Sequence, residues 1–378
     1  MRHRIYFQTF EPMDTPFHII CTVTNDLNFD QRMIRICNSL ATNGYKVTLV
    51  GRKLTQSAPL TTRPFLQKRL YCFFKKGPLF YAEFNIRLFL WLLFQHANCV
   101  CAIDLDTILP CLWASKLKKW KRVYDAHELF CEMKEIVTRP SRYKIWKMIE
   151  RYAVPQFKTG YTVCQPIAAE FYKMYGVNYQ VIRNVPLPTE SNNSPTTINP
   201  FFIYQGAVNE GRSFETLIPA MKTSVFPLKI FGDGNYLEQT KKLIEANGVA
   251  DKVEWMGKQK PELLQAFTLQ AYAGITLFEN KGLSNYLSLA NRFFDYIQAG
   301  IPQLCVNYPA YRDINNQYDI AILIDDLSPE TISNALNLLA SDRVLYERLK
   351  QNCLLARKNL NWQEEEKKLI CIYLKIEK

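Results

Sequence analysis

The sequence predicts an α/β protein made of two doubly wound parallel sheets, and three observations carry that expectation. Short apolar runs alternate with helix-length stretches along nearly the whole chain, the rhythm of repeated βαβ units. Several apolar runs of the second half end on glycine, at Gly206, Gly232 and Gly257. With 378 residues, the chain is too long for one ordinary core and suits two. A run rich in Pro, Ser, Thr and Asn at 187–199 reads as a linker, which makes 1–186 the first domain and 200–360 the second.

In the first domain, residues 17–24 read as a strand, 30–43 as a helix closed by Gly44, and 46–50 as the next strand. An aromatic strand is expected at 69–74. Residues 79–94 form a strongly apolar helix in which Glu83 and Arg87, spaced i,i+4, share one side. Apolar residues on nearly every side fit a packed core helix; the other reading is an interfacial helix that dips into lipid. The strand at 99–103 runs into Asp104-Leu105-Asp106-Thr107, and the strand at 122–125 into Ala126-His127-Glu128. Ligands gather at the carboxyl ends of strands in open α/β sheets, so these two polar strand ends mark a rim. Asp106-Thr107 can equally cap the helix that follows. Helices at 144–153 and 166–175 lead to Arg183-Asn184-Val185-Pro186.

The second domain repeats the plan. Strands at 201–205, 228–231 and 253–256 run into Gly206, Gly232 and Gly257, with helices at 214–222, up to Asn247-Gly248, and at 262–269 between and after them. A strand at 274–278 precedes NRFFDYIQAGIP (291–302), a helix carrying one acid, Asp295, stopped by Gly300 and barred from resuming by Pro302. Strands at 303–306 and 321–324 and three helices complete the chain. The uncharged segment 282–290 leaves backbone N–H groups free at the start of the Asp295 helix, where phosphate binds well. Asp295 either accepts hydrogen bonds from sugar hydroxyls or is a solvated acid complementing the helix dipole.

Charge is unevenly spread. Residues 1–185 hold 27 basic and 13 acidic side chains, net +14, and the remainder holds 20 and 22, net −2. A basic first half fits an anionic partner such as a membrane surface, or is simply a soluble basic face. Nucleic acid is disfavoured, because the basic residues fall in short scattered groups without a recognition motif. The 11 cysteines show no metal-ligand spacing and read as reduced, mostly buried thiols of a cytosolic protein. The first fourteen residues lack a signal-peptide core, and the apolar stretch 88–103 is too short and too polar to span a bilayer.

Taken in order, AIDLDTILP, YDAHELF, VIRNVP, YQGAVNEGRSFETLI, FGDGNYLE and NRFFDYIQAGIP resemble the GT-B glycosyltransferases of the "glycosyl transferases group 1" type, and the likeness runs nearly end to end. The resemblance implies two facing Rossmann-like domains with a cleft between them, the nucleotide sugar held by the second, the acceptor by the first, and a last helix (361–378) packing back on the first. It places Asp295 on the nucleotide ribose, Arg212 on the diphosphate beside Gly206, and Gly232, Met256, Gly257 and Lys258 around the donor. His127 falls at the reaction centre, supported by Glu128. Two departures stand out. The first acid of the family's two-acid motif falls on Leu287, which leaves Ser284, Asn285 and the backbone near Ala290 and Asn291 as substitutes. The arginine expected after Gly206 is Ala207, which shifts diphosphate charge to Arg212, aided by Arg292.

A guanidinium and a helix N-terminus can stabilise a departing nucleoside diphosphate without a metal. The expectation is therefore a hexosyl-type transferase (EC 2.4 class) with no cofactor beyond its nucleotide-diphosphate sugar. It would act with retention on a lipid-linked or saccharide acceptor, in surface polysaccharide or glycolipid synthesis, as a cytoplasmic protein peripheral to the inner face of the membrane. The alternative is a catalytically silent GT-B binding module or partner subunit.

Overall fold

The computed structural model describes residues 16–28, 30–188 and 199–378. Most of the expected linker, 189–198, lies outside the described residues, as does the N-terminal stretch read above for export. In chain order the elements are β1 (His18–Thr22), α1 (Gln31–Thr42), β2 (Lys46–Lys53), β3 (Leu66–Tyr71), α2 (Gly77–Leu93), β4 (Cys99–Ile103), α3 (Ile108–Lys118) and β5 (Lys121–Ala126). Next come α4 (Lys134–Val137), α5 (Pro140–Ala153), β6 (Thr159–Thr162), α6 (Gln165–Tyr175) and β7 (Gln180–Val181). The second series is β8 (Phe202–Gln205), α7 (Phe214–Ala220), β9 (Leu228–Phe231), α8 (Leu237–Asn247), β10 (Val253–Gly257), α9 (Pro261–Gln270), β11 (Ala273–Thr276), α10 (Leu283–Leu287) and α11 (Asn291–Ala299). It closes with β12 (Gln303–Val306), α12 (Pro309–Tyr318), β13 (Ala321–Ile324), α13 (Pro329–Ser341), α14 (Arg343–Ala356) and α15 (Trp362–Glu377).

Two sheets result, of order β3-β2-β1-β4-β5-β6-β7 and β10-β9-β8-β11-β12-β13. Both are built from parallel pairs, β1 with β2 and β4 in one and β8 with β9 and β11 in the other. In each, the first strand lies inside the sheet and the order reverses beside it, so each has a switch point, between β1 and β4 and between β8 and β11. The sequence of the central strands explains their position: CVCAI of β4 and FIYQ of β8 are buried at every residue, as strands covered on both faces must be. These are two Rossmann-like α/β sheets, as expected.

By compactness, the chain divides into one unit of Met1–Asp125, Ala153–Thr159 and Ile370–Lys378 and another of Ala126–Tyr152 and Gly160–Leu369. In the first, Arg32 of α1 and Asp125 of β5 form a buried ion pair at 2.8 Å. Tyr45 meets Tyr373 (ring centroids 6.2 Å apart) and its hydroxyl donates to Glu377 at 3.2 Å. In the second, Lys147 bridges Glu132 (3.1 Å) and Glu150 (2.7 Å). Cys371 is exposed and the other cysteines are buried; burial pushes thiols such as Cys99 and Cys305 up, which disfavours reactive thiolates.

Caps close the helix ends, at Gly300 as expected and at Asp30, which the sequence reading placed inside the helix at 30–43. Asp30 accepts from the Met33 amide at 3.0 Å to start α1, and Gly300 closes α11 in the left-handed region at φ 70°. Differences have local causes. The strand expected at 69–74 lies earlier, at Leu66–Tyr71, because the amides of Phe73 and Phe74 donate to the Glu83 carboxylate (3.0 and 2.9 Å) and not to a neighbouring strand. The short β6 and β7 and the polar α12 went unpredicted. So did α10, inside the segment read as open chain. The packed-core reading of α2 holds for only one of its two stripes: Phe80, Phe84, Leu88 and Leu92 are buried, while Leu79, Ile86 and Leu90 on the opposite side are exposed.

Candidate functional site

Three neighbouring strands of the second sheet end on glycine: β8 at Gly206, β9 at Gly232 and β10 at Gly257. The Gly206 amide donates to Phe231 O at 2.9 Å and the Gly232 amide to Gly257 O at 3.0 Å, so the strand ends stay in step. A Cβ on Gly232 would lie 1.8 Å from Gly206 O, and one on Gly234 would lie 2.3 Å from Val208 O. The chain approaches itself too closely there for any side chain, leaving a bare backbone ledge. Trp255 of β10 donates its indole N–H to Gly232 O at 2.9 Å.

Two arginines sit beside this ledge. Arg212 lies in the loop from β8 to α7, between Gly211 (φ 83°) and Ser213, which is held in the left-handed region at φ 59°. Arg292 is the second residue of α11. Their guanidinium carbons lie 4.5 and 4.6 Å from the centre of the Phe278 ring, and Arg292 is also 4.5 Å from that of Tyr204. The Arg292 Nη1 donates to Tyr204 Oη at 3.1 Å and to Gln205 O at 3.2 Å. A Cβ on Gly206 would meet that same Nη1 at 3.0 Å, so Arg292 lies against the ledge.

Neither guanidinium forms an ion pair among the described residues, and Nε and Nη2 of the buried Arg292 have no hydrogen-bond partner among them. Burial, and then the charge of Arg292, hold the pKa of Arg212 below the usual arginine range, while Glu128 supports its charge. For Arg292, burial works to lower the pKa but the phenols of Tyr204, Tyr296 and Tyr311 outweigh it, and the net shift is upward. Arg292 also stands at a helix N-terminus, where a cation is disfavoured. Two adjacent cations, Arg292 buried and Arg212 half-buried, with no ion-pair partner among the described residues, suit an anion as third partner.

Asp295 is the fifth residue of α11, one step beyond the first turn, and half-buried. It accepts from Gln205 Nε2 at 2.8 Å, and the Thr268 hydroxyl donates to Gln205 Oε1 at 2.7 Å, which fixes the amide so that its N–H groups point at the carboxylate. Asn291, first in α11, accepts from Asn184 Nδ2 at 2.8 Å. The Ala290 amide, expected to be free, donates to Tyr311 Oη at 3.0 Å. Leu287, at the place of the missing acid, is buried in α10 and its carbonyl accepts from Cys164 Sγ at 3.2 Å. Of its suggested substitutes Ser284 is buried; the half-buried Asn285 has its Nδ2 4.0 Å from where a Cβ of Gly211 would sit.

His127 and Glu128 follow β5 in a half-buried bend, with Glu128 near enough to Arg212 to act on its charge. Just downstream, Lys134 pairs with Glu210 at 2.5 Å and keeps that carboxyl below its ordinary range. A Cβ on Gly282 would lie 3.0 Å from Glu132 O, so this segment abuts the loops around 210 and 282. Met256 is half-buried at the end of β10, and Lys258 beyond it is exposed. Among the described residues no group of three or more His, Cys, Asp or Glu is arranged to hold a metal ion.

The site therefore gathers Gly206, Arg212, Gly232, Gly257 and Glu128 with Arg292, and ties Asp295 to β8 through Gln205. Sequence reading gave Arg292 only an auxiliary part, and missed Tyr204, Gln205 and Phe278, whose apolar or neutral character gave no chemical signal. A bare ledge, two adjacent cations and a fixed carboxylate together suit an anionic ligand.

Residues 190–354 match the family model of the glycosyl transferases group 1, and the chain as a whole has the GT-B fold. Solved structures similar to it include sucrose-phosphate synthase from Thermosynechococcus elongatus (TM-score 0.76, 14% identity, covering 95% of this chain and 99% of that one). WaaG, a glycosyltransferase involved in lipopolysaccharide biosynthesis, aligns with TM-score 0.72 at 16% identity over 94% of this chain and 99% of its own. HepE of Anabaena, in complex with UDP and glucose, aligns with TM-score 0.72 at 11% identity over 93% and 98%. Comparison with curated sequences gives no match.

Proposed function

We propose that the protein transfers a hexosyl group from a nucleotide-diphosphate sugar to a lipid-linked or saccharide acceptor, with retention and without a metal, in surface polysaccharide or glycolipid synthesis. The observation that carries the reading is the pairing of half-buried Arg212 with buried Arg292 beside the glycine ledge, neither guanidinium forming an ion pair among the described residues. Breaking the anomeric carbon–phosphate bond leaves charge on the diphosphate, and two preorganised guanidiniums stabilise it as it develops. Asp295, its carboxylate fixed by Gln205, takes the ribose hydroxyls. The peptide edges of Gly206, Gly232 and Gly257 admit the diphosphate and base, with Met256 and Lys258 beside the base. Asn285, Ser284 and Asn291 take over contacts to the transferred sugar that Leu287 cannot make.

His127 contacts a hydroxyl of that sugar, supported by Glu128, and the acceptor hydroxyl attacks from the side the phosphate leaves, its proton passing to the departing phosphate oxygen. The acceptor belongs to the first domain (1–186), the donor to the second (200–360), and the helix at 361–378 returns to the first. The HepE complexes make UDP-sugars the first donors to try. The protein works in the cytoplasm, peripheral to the inner face of the membrane.

The test is turnover of a panel of UDP-, GDP-, ADP- and dTDP-sugars by wild type, Arg212→Ala and Asp295→Ala. Selective hydrolysis or transfer that both substitutions abolish is expected. Leu287 favours a second reading, a silent GT-B module, and nucleotide binding without any release of nucleoside diphosphate would establish it.

A further inference from the structure

The two stripes of α2 face opposite ways because their positions lie about half a helical turn apart at roughly 100° per residue. Phe80, Phe84, Leu88 and Leu92 fill the core of the first unit, which leaves Leu79, Ile86 and Leu90 uncovered, with Phe94 just past the helix end 82% exposed. On α3, Trp113 and Leu117, spaced i,i+4, are exposed as well, and Phe89 joins the helices through an edge-on ring contact with Trp113 at 6.2 Å. The loop entering α2 adds Phe73, 70% exposed, and Phe74, 47% exposed. Glu83 of α2 accepts both loop amides and pairs with Arg87 at 2.8 Å, and Arg87 lies 5.2 Å from the Phe73 ring centre, so the aromatic loop is fastened to the helix.

These exposed apolar side chains fall on α2, on α3 and on the loop that enters α2, not singly over the surface. They are rimmed by exposed Lys75, Lys76, Lys116 and Lys119, and the acid among them, Glu83, is spent on Arg87 and the two amides. A second copy of the chain would bring like charges together, whereas an anionic bilayer offers both an apolar interior and the complementary charge. Aromatic and aliphatic side chains backed by lysines are what an interfacial element uses.

We infer that the exposed stripe of α2, with the Phe73-Phe74 loop and the outer side of α3, docks in the plane of an anionic lipid surface. This deepens the membrane-side reading of the preceding subsection and rests on it only for the benefit to a lipid-linked acceptor; the docking itself stands without transfer activity.

The full chain is to be sedimented with vesicles of phosphatidylcholine alone or mixed with phosphatidylglycerol. The expected result is binding to the mixed vesicles that weakens with salt, falls by about fivefold for each rim lysine removed, and is largely lost in Leu90→Ser/Phe94→Ser. Turnover of donor with a water-soluble acceptor should be unchanged in every variant. If the apolar double variant fails to fold, Lys75→Glu/Lys76→Glu, both at exposed positions, carries the test. Equal binding to neutral and mixed vesicles, or variants that bind as wild type does, would overturn the inference. So would a wild-type dimer that the apolar substitutions dissolve, since the occupant would then be a second copy. Vesicle binding without donor turnover would sink the transferase reading alone, and turnover without vesicle binding the docking alone.

Discussion

Arg292→Met separates the anion-site argument from a merely structural one. In the free protein the guanidinium makes two hydrogen bonds, at 3.1 and 3.2 Å, and lies over two rings at 4.5 and 4.6 Å. Hydrogen bonds to a charged group contribute about 1.5–3 kcal/mol each and a desolvated cation–π contact about 2 kcal/mol. Against these stands a desolvation cost of several kcal/mol for a buried ion. The gains, about 7–10 kcal/mol in sum, are offset in large part, so the free variant should lose no more than about 4 kcal/mol and still fold, helped by the similar volume of Met. With a diphosphate bound the balance differs, because the unpartnered Nε and Nη2 gain acceptors. Losing one side of such a buried pair costs about 2–4 kcal/mol, roughly 30- to 1,000-fold in affinity. Titration calorimetry with UDP, GDP, ADP and dTDP, beside thermal melts with and without nucleotide, reads both quantities. Nucleotide affinity within threefold of wild type would refute the reasoning, and so would a collapse of the free protein.

Gly232→Ala should destabilise the second unit by about 1–3 kcal/mol, the usual cost of overpacking, and abolish nucleotide binding, since its Cβ would lie 1.8 Å from Gly206 O. Gly248→Ala is the control: it carries left-handed strain alone, with nothing within 4 Å, and should leave nucleotide binding intact in the same calorimetric titration. His18 gives a pH dependence. Burial lowers its pKa, the His96 carbonyl partly opposes this, and Lys46 lowers it further. The unfolded chain, with a pKa of about 6.5, then takes up protons more readily than the folded one, so stability should fall as pH drops below about 6.5 and level off below the folded value. Melting temperatures across that range should show a shallower slope in His18→Gln, and an unchanged slope would remove His18 as the cause.

Much of the fold was legible because its signals are local. Short apolar runs, Gly300 after α11 and Gly248 after α8 mark elements and their ends whatever the tertiary context. What escaped depends on distant partners. The end of β3 is set by Glu83 capturing the amides of Phe73 and Phe74. In α2 an apolar residue at nearly every position hid the division into a buried and an exposed stripe, since composition alone cannot say which side meets the core. In the site, charged residues such as Arg212 and Asp295 could be singled out because their chemistry shows in the sequence. The neighbours that define their state, Phe278 under both guanidiniums and Gln205 on the carboxylate, are brought there by strand ends far apart in the chain.

The meeting of Tyr45 with Tyr373 and Glu377 carries a consequence for biosynthesis. The strands β1, β2 and β4 leave the ribosome early, yet the unit they form includes Ile370–Lys378, and the Tyr45 hydroxyl waits for an acceptor 332 residues downstream. Loop closure over that distance is entropically slow relative to local pairing. The first unit must therefore remain unfinished on its Tyr45 side throughout synthesis of the second, and its last contacts form only after Glu377 has been added.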